Sequence, residues 1–242
     1  TMSKRQIARG ANYLTRGARL LGHPSLRHFV IIPLVINILI FGSLITISFS
    51  YISDLMDAML SRIPDWLNFI RWILWPIIGI TVSLISGYVF TSVALIIASP
   101  FNALLAEKAE ELITGQAVAS LEGLGAAFLA VPRSIVRELV KLLYYVPMAL
   151  LVLVISFVPG VGAVAWLLLG AWMMSIQFVD YPMDNHQLSF TQVKAAVRSR
   201  RLTSMGFGGV VALCASIPLV NFFVVPAAVV GATLLWCEEL DQ

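Results

Sequence analysis

The sequence predicts an all-α integral membrane protein. Its parts are two long transmembrane helices, two helical hairpins broken by Pro and Gly, and an N-terminal amphipathic interfacial helix. Three observations carry this. Charged residues make up 12% of the chain, against about 25% in a soluble domain. Four uncharged stretches, 29–52, 72–106, 142–179 and 202–237, hold most of the 59% hydrophobic content. The last two each have a breaker cluster near the middle, Pro159-Gly160-Val161-Gly162 and Ile217-Pro218-Leu219-Val220-Asn221. The whole of 1–242 reads as one membrane domain.

Residues 4–22 come first. Ile7, Ala11, Leu14, Ala18 and Leu21 recur at alternating intervals of four and three, one face of a helix. Arg5, Arg9, Arg16 and Arg19 fall on another face. A basic amphipathic helix in the headgroup region fits this pattern, and so does a helix packed on protein with its arginines in water. Gly22 and Pro24 end it.

The first long transmembrane helix is expected over 24–52, whose uncharged part exceeds the ~20 residues that span a bilayer. Pro33 removes one helical hydrogen bond, and Asn37 is a polar group that avoids lipid. A polar connection follows over 53–71, with an interfacial turn at Pro64-Asp65-Trp66. The second long helix, 72–106, would be about 50 Å long if straight, against a ~30 Å hydrocarbon core. Ser99-Pro100-Phe101-Asn102 is the expected exit.

A charged helical region is expected over 107–141, on the cytoplasmic side. Arg133, Arg137 and Lys141 recur there every four residues. This basic stripe reads first as a solvated or headgroup-facing surface. The uncharged blocks 142–179 and 202–237 follow as hairpins, with hinges at Pro159, Gly160, Pro218 and Asn221. Each hairpin arm is roughly 22–30 Å long, marginal for a full span. The hairpins therefore cross as tight pairs or insert part-way. Paired, interrupted segments of this kind point towards a transport pathway.

Charge fixes the orientation. Two crossings followed by two hairpins place 14 of the 16 Lys and Arg on one side. The positive-inside rule makes that side the cytoplasm, with both termini there.

The same residues exclude several functions. No stretch reads G-x-x-x-x-G-K, so the chain carries no phosphate-binding loop for ATP. No G-x-S-x-G elbow supports serine hydrolysis. Asp184-Asn185-His186 lacks the further His or Cys that a metal site needs, so neither metal nor cofactor is expected. The arginines suit anionic headgroups better than nucleic acid. No uncharged block holds an ionisable Asp, Glu, Lys, Arg or His, which argues for a channel-like route with charged groups at its mouths. Asn37, Asn102, Glu107, Asp180, Asp184 and Asn185 are the pathway or structural candidates.

Pro24-Ser25-Leu26-Arg27-His28 opens the first long helix. Helix-start N–H groups beside Arg27 form a candidate oxyanion site. Contact with lipid phosphate is the plainer reading of the same residues.

Four stretches resemble the CysZ family of bacterial sulfate permeases. They are Leu26-Arg27-His28-Phe29-Val30-Ile31-Ile32-Pro33-Leu34-Val35-Ile36-Asn37; Ser99-Pro100-Phe101-Asn102-Ala103-Leu104-Leu105-Ala106-Glu107; Phe157-Val158-Pro159-Gly160-Val161-Gly162; and Asp180-Tyr181-Pro182-Met183-Asp184-Asn185-His186. The resemblance runs in order over about residues 10 to 237. It implies an ATP-independent sulfate transporter of the bacterial inner membrane that feeds cysteine biosynthesis, not an enzyme. It also implies a homo-oligomer in a lipid bilayer, with sulfite and other oxyanions as alternative substrates. The small-residue-Leu-Arg motif implied to hold sulfate is Ser25, Leu26 and Arg27 here, followed by His28. Relatives commonly have Gly at the Ser25 position. A membrane scaffold or regulatory subunit is the alternative function, and a lipid-modifying enzyme a more distant one.

Overall fold

The computed structural model describes residues 2–62, 64, 66, 68–118, 125, 129, 131–158 and 160–241. Among them are eight α-helices: α1 (Met2–Leu20), α2 (Pro24–Leu60), α3 (Asn68–Thr114), α4 (Val131–Ile155), α5 (Val161–Asn185), α6 (Phe190–Ser199), α7 (Arg201–Ala215) and α8 (Pro218–Leu235). A π-helical turn, Trp236–Leu240, continues α8. The protein is all-α and multi-pass. Among the described residues, four helical segments are long and apolar enough to cross a membrane: Pro24–Ile47, Pro132–Ile155, Val161–Asn185 and Phe223–Leu240.

The chain divides into two compact units. One comprises 32–98, the larger part of α2 and α3. Its α2 segment turns Ile38, Leu39 and Ile47 outward, as a lipid-facing helix requires. The hydroxyls there bond to their own helix: Ser43 Oγ donates to Leu39 O at 2.8 Å and Thr46 Oγ1 to Gly42 O at 2.9 Å. Neither donor is left unpaired towards hydrocarbon.

The other unit comprises 1–31 and 99–242. Its core holds Tyr13, Leu26, Leu105, Ile176, Met183, Val197, Phe207 and Val229. Helix α8 lies deep within it, with Ala228, Val229, Val230, Ala232 and Leu235 all fully buried. Glycines set the helix spacing. A Cβ on Gly10 would meet Thr203 O, and one on Gly206 would meet Ile7 O, so α1 and α7 cross backbone to backbone. Gly17 meets Ala227 O, and Gly231 meets Tyr13 O, where α1 crosses α8. Small residues permit such close approach. The face of α1 covered by protein is Gly10, Tyr13, Leu14 and Gly17, while Ile7 and Ala18 of the apolar stripe stay exposed.

Several helices run past the points where charge or proline suggests an end. Helix α2 continues through Asp54 and Asp57 to Leu60. Helix α3 continues through Ser99-Pro100-Phe101-Asn102, the expected exit, to Thr114. Proline costs one backbone bond, and packing repays it here: Phe101, Leu104, Leu105, Ala106 and Ala109 are all buried. The charged region 107–141 takes in the end of α3, to Thr114, and the start of α4, from Val131 beside Pro132.

The α4–α5 turn bends at Gly160, whose φ of 80° no L-side chain adopts cheaply. Ser156 Oγ accepts from Trp166 Nε1 at 3.0 Å and closes that turn. At the other hairpin, Pro218 occupies the first turn of α8, where its missing N–H costs nothing. Asn221 is exposed in that turn, its N–H donating to Ile217 O at 2.9 Å. Pro159 and Asp65 lie outside the described residues, as do the side chains of Asn37 and Pro218.

Candidate functional site

Two places within the larger unit gather the polar residues singled out from sequence. The first is the corner between α1 and α2. Helix α1 closes with Gly22 N–H donating to Arg19 O at 3.1 Å and His23 N–H to Leu20 O at 2.9 Å. Leu26 is fully buried and pins the corner to the core. Arg27 Nε and Nη2 both donate to Gly22 O, at 3.1 and 2.9 Å. That clamp uses two of the five guanidinium N–H donors. The guanidinium itself is exposed, as are Ser25 and His28. Ser25 Oγ lies 2.6 Å from His23 Nδ1, so a Ser25 hydroxyl that donates to that nitrogen is not free for an anion. The corner therefore presents one anchored cation beside a helix start, with a side-chain hydroxyl partly engaged. The Leu26 N–H donates to His23 O at 3.0 Å and the Ser25 N–H to His23 Nδ1 at 3.4 Å, so what the corner can offer an oxyanion is chiefly the remaining guanidinium donors.

The second place joins α4, α5 and the end of α3. Arg137 Nε donates to Asp180 Oδ1 at 2.8 Å, and its Nη1 lies 2.9 Å from Asp184 Oδ1. Arg133 Nη2 reaches Asp184 Oδ1 at 2.7 Å. Lys141 Nζ lies 3.2 Å from Asp180 Oδ2 and 2.6 Å from Glu138 Oε1. Side-chain exposure is 12% for Arg137, 4% for Lys141 and 5% for Asp180, so these charges are out of water. At Arg137 and Lys141 the basic stripe is therefore neither solvated nor directed at headgroups, which corrects its sequence reading there, while Arg133 stays exposed. The stripe's partners, Asp180 and Asp184, repeat at the same interval of four on the facing helix. That matching period was the signal available in the sequence.

Polar contacts tie the same cluster to α3. Asn185 Nδ2 donates to Ala103 O at 2.9 Å, and Asn102 Nδ2 to the Tyr181 hydroxyl at 3.4 Å. His186 Nε2 lies 2.7 Å from Glu110 Oε1. Glu107 is buried, 3.8 Å from Lys108 Nζ. The hydrogen bond that it donates to Glu111 holds the Lys108 ammonium above its ordinary range. Three cations and three carboxylates make up the α4–α5 cluster, so it is close to neutral. A dianion could enter only by displacing a carboxylate. The geometry suits the cluster to holding helices in register.

Sequence reading missed a third group altogether. Tyr13 Oη lies 3.0 Å from both Glu238 Oε2 and Glu239 Oε1. Arg16 grips Glu238 through both Nη atoms, and Arg9 Nε lies 2.8 Å from Glu239 Oε1. These contacts lock the C-terminal turn onto α1. Burial first, then the Glu238 hydrogen bond, pushes the Tyr13 phenol far above its ordinary range. Among the described residues, no group of His, Cys, Asp and Glu is arranged to hold a metal ion.

A family model described as Sulfate transporter CysZ/Etoposide-induced protein 2.4 matches residues 13–226. The chain belongs to this family. The protein named Sulfate transporter CysZ from Pseudomonas aeruginosa (strain LESB58) is 44% identical over 233 residues, 95% of each chain. Its namesake from Pseudomonas paraeruginosa (strain DSM 24068 / PA7) is 45% identical over 233 residues, again 95% of each. That from Pseudomonas fluorescens (strain Pf0-1) is 42% identical over 236 residues, covering 96% of this chain and 94% of the relative. The matched span of this CysZ-family chain takes in the Arg27 corner and the α4–α5 ion cluster, but not Glu238 and Glu239.

Proposed function

We propose that this chain carries sulfate across the bacterial inner membrane without ATP, and so supplies sulfur for cysteine biosynthesis. The observation that carries the reading is identity of 44% along 95% of both chains to a relative named Sulfate transporter CysZ. The apolar helices supply a route through lipid, and the absence of a phosphate-binding loop leaves ion gradients or diffusion as the driving force.

Arg27 is the group proposed to meet sulfate, at the start of α2, where Ser25 and Leu26 would have to release their N–H bonds to His23 to join it. A strongly hydrated dianion is costly to bury in hydrocarbon. An exposed guanidinium at a helix start takes it while it keeps part of its water. One charge-assisted hydrogen bond contributes about 1.5–3 kcal/mol, and a helix end roughly 0.3–1 kcal/mol. Binding of that strength releases its ion, as permeation needs.

Sealed vesicles holding the purified chain alone test the reading. They should accumulate labelled sulfate faster than protein-free vesicles, with no nucleotide present. Flux only after a second membrane protein is added would instead identify a supporting subunit.

A further inference from the structure

We propose a second anion site, at the opposite end of α1 from Arg27, in the cavity between α1 and the α6–α7 corner. Its ligand is a tetrahedral oxyanion, free or as the phosphate of a lipid headgroup. The cavity, of about 290 Å³, is lined by Gln6, Arg198, Ser199, Arg200, Arg201 and Leu202, with Thr203 at its base. It needs nothing from the transport reading. Gln6 and Leu20 are about 20 Å apart along the helix, so the two sites are separate.

Chain geometry brings three arginine residues to this lining. Helix α6 ends at Ser199, whose Oγ folds back onto Ala196 O at 2.7 Å. Arg200 leaves helical geometry, with φ −121° and ψ 49°, and α7 restarts at Arg201 with no side-chain cap. A single-residue break thus turns the chain while keeping Arg198, Arg200 and Arg201 around one opening. The first N–H groups of α7 lack partners within their own helix. Thr203 is buried because Gly10 lets α1 approach its carbonyl, so the cavity has a rigid floor.

The charge balance decides the ligand. Arg9, Arg16, Arg133, Arg137, Lys108 and Lys141 all have carboxylate partners. Among the described residues, Arg198, Arg200 and Arg201 have none, as is also true of Lys4, Arg5, Arg19, Arg27 and Lys194, but only these three share the lining of one cavity. No Asp or Glu occurs before Asp54, and none between Gln187 and Cys237, so both segments that line the cavity are free of acid. Three arginines lining one polar cavity, with no acid in either segment that forms it, match phosphate or sulfate oxygens, which accept paired N–H bonds.

The test uses the full chain in detergent with Arg27→Ala as background, so that binding at the first corner does not contribute. Labelled orthophosphate binding is measured by equilibrium dialysis in sulfate-free buffer. Retention of phosphatidylglycerol against phosphatidylcholine is measured by native mass spectrometry. Each is repeated with Arg200→Gln/Arg201→Gln added, and separately with Arg198→Gln, which leaves the corner backbone untouched. Thermal unfolding verifies that each variant is folded. Orthophosphate binding that falls about tenfold per guanidinium lost supports the site and makes its ligand a free oxyanion. Selective phosphatidylglycerol retention, lost in the same variants, supports it with a lipid headgroup as ligand. Binding of neither probe, or binding unchanged in folded variants, overturns it. If the double variant does not fold, Arg198→Gln decides by the same criteria.

Discussion

Arg27 reaches back across the α1–α2 corner and donates two hydrogen bonds to the carbonyl oxygen of Gly22. One guanidinium therefore fixes the backbone and remains exposed to solvent. Lysine would keep the charge but not the two-pronged grip. Arg27→Lys should weaken sulfate binding less than Arg27→Ala, and Arg27→Ala should cost about tenfold to a hundredfold. Calorimetric titration with sulfate reads both. Equal affinity in all three proteins would remove Arg27 from the site.

Asp180 touches both Arg137 and Lys141, and all three are largely buried. Removing one partner of a buried pair leaves a stranded charge, at a cost of about 3–5 kcal/mol. Asp180→Ala should lower the thermal unfolding temperature in detergent sharply. Adding Lys141→Met should recover part of that loss, because the stranded ammonium is gone. Strictly additive effects would show that the two groups do not interact.

Helix α1 rests on α7 and α8 through glycines whose Cβ positions are filled by neighbouring backbone. Backbone cannot move aside as a side chain can, so Gly10→Val or Gly206→Val should destabilise by more than the usual 1–3 kcal/mol of overpacking. Gly42→Ala, with nothing within 4 Å of its Cβ, should be neutral or mildly stabilising. Gly160→Ala lies between, costing about 1–2 kcal/mol for its left-handed backbone. Unfolding temperatures across the four variants test this order.

The Tyr13 phenol is raised above its ordinary value of 10.0 by burial and by Glu238. A raised folded-state value means that its stabilising contribution is complete below the unfolded value and fades as pH rises above it. The C-terminal turn should therefore loosen from α1 in strong alkali. Protease cleavage after the π-helical turn should increase above about pH 10. In Tyr13→Phe that alkaline step should vanish; its persistence would assign the step to another group.

The helices were legible because uncharged runs and their lengths follow directly from the cost of burying charge in lipid. The start of α2 at Pro24 was legible for a local reason, since proline tolerates a first turn. What sequence left open depended on partners distant along the chain. Whether Pro100 ends a helix turned on the packing of Leu105 and Ala109. Arg137 and Lys141 looked like a wet stripe until Asp180 faced them. Gly10 and Gly17 lie two turns apart on one face with Tyr13 and Leu14, beside the apolar stripe rather than in it, yet they set how closely α1 approaches the core. At the candidate site, residue identities pointed to Arg27, but not to its bond with Gly22 or to the pairing of Ser25 with His23.

Labelled sulfate flux into vesicles that hold the purified wild-type chain or Arg27→Ala, at matched protein content, is the most direct test that this chain moves sulfate past Arg27. Wild-type vesicles should fill without nucleotide, and the variant should fill about tenfold more slowly. Wild-type vesicles no more permeable to sulfate than protein-free lipid would contradict the transport function, and equal filling by both proteins would contradict the role of Arg27.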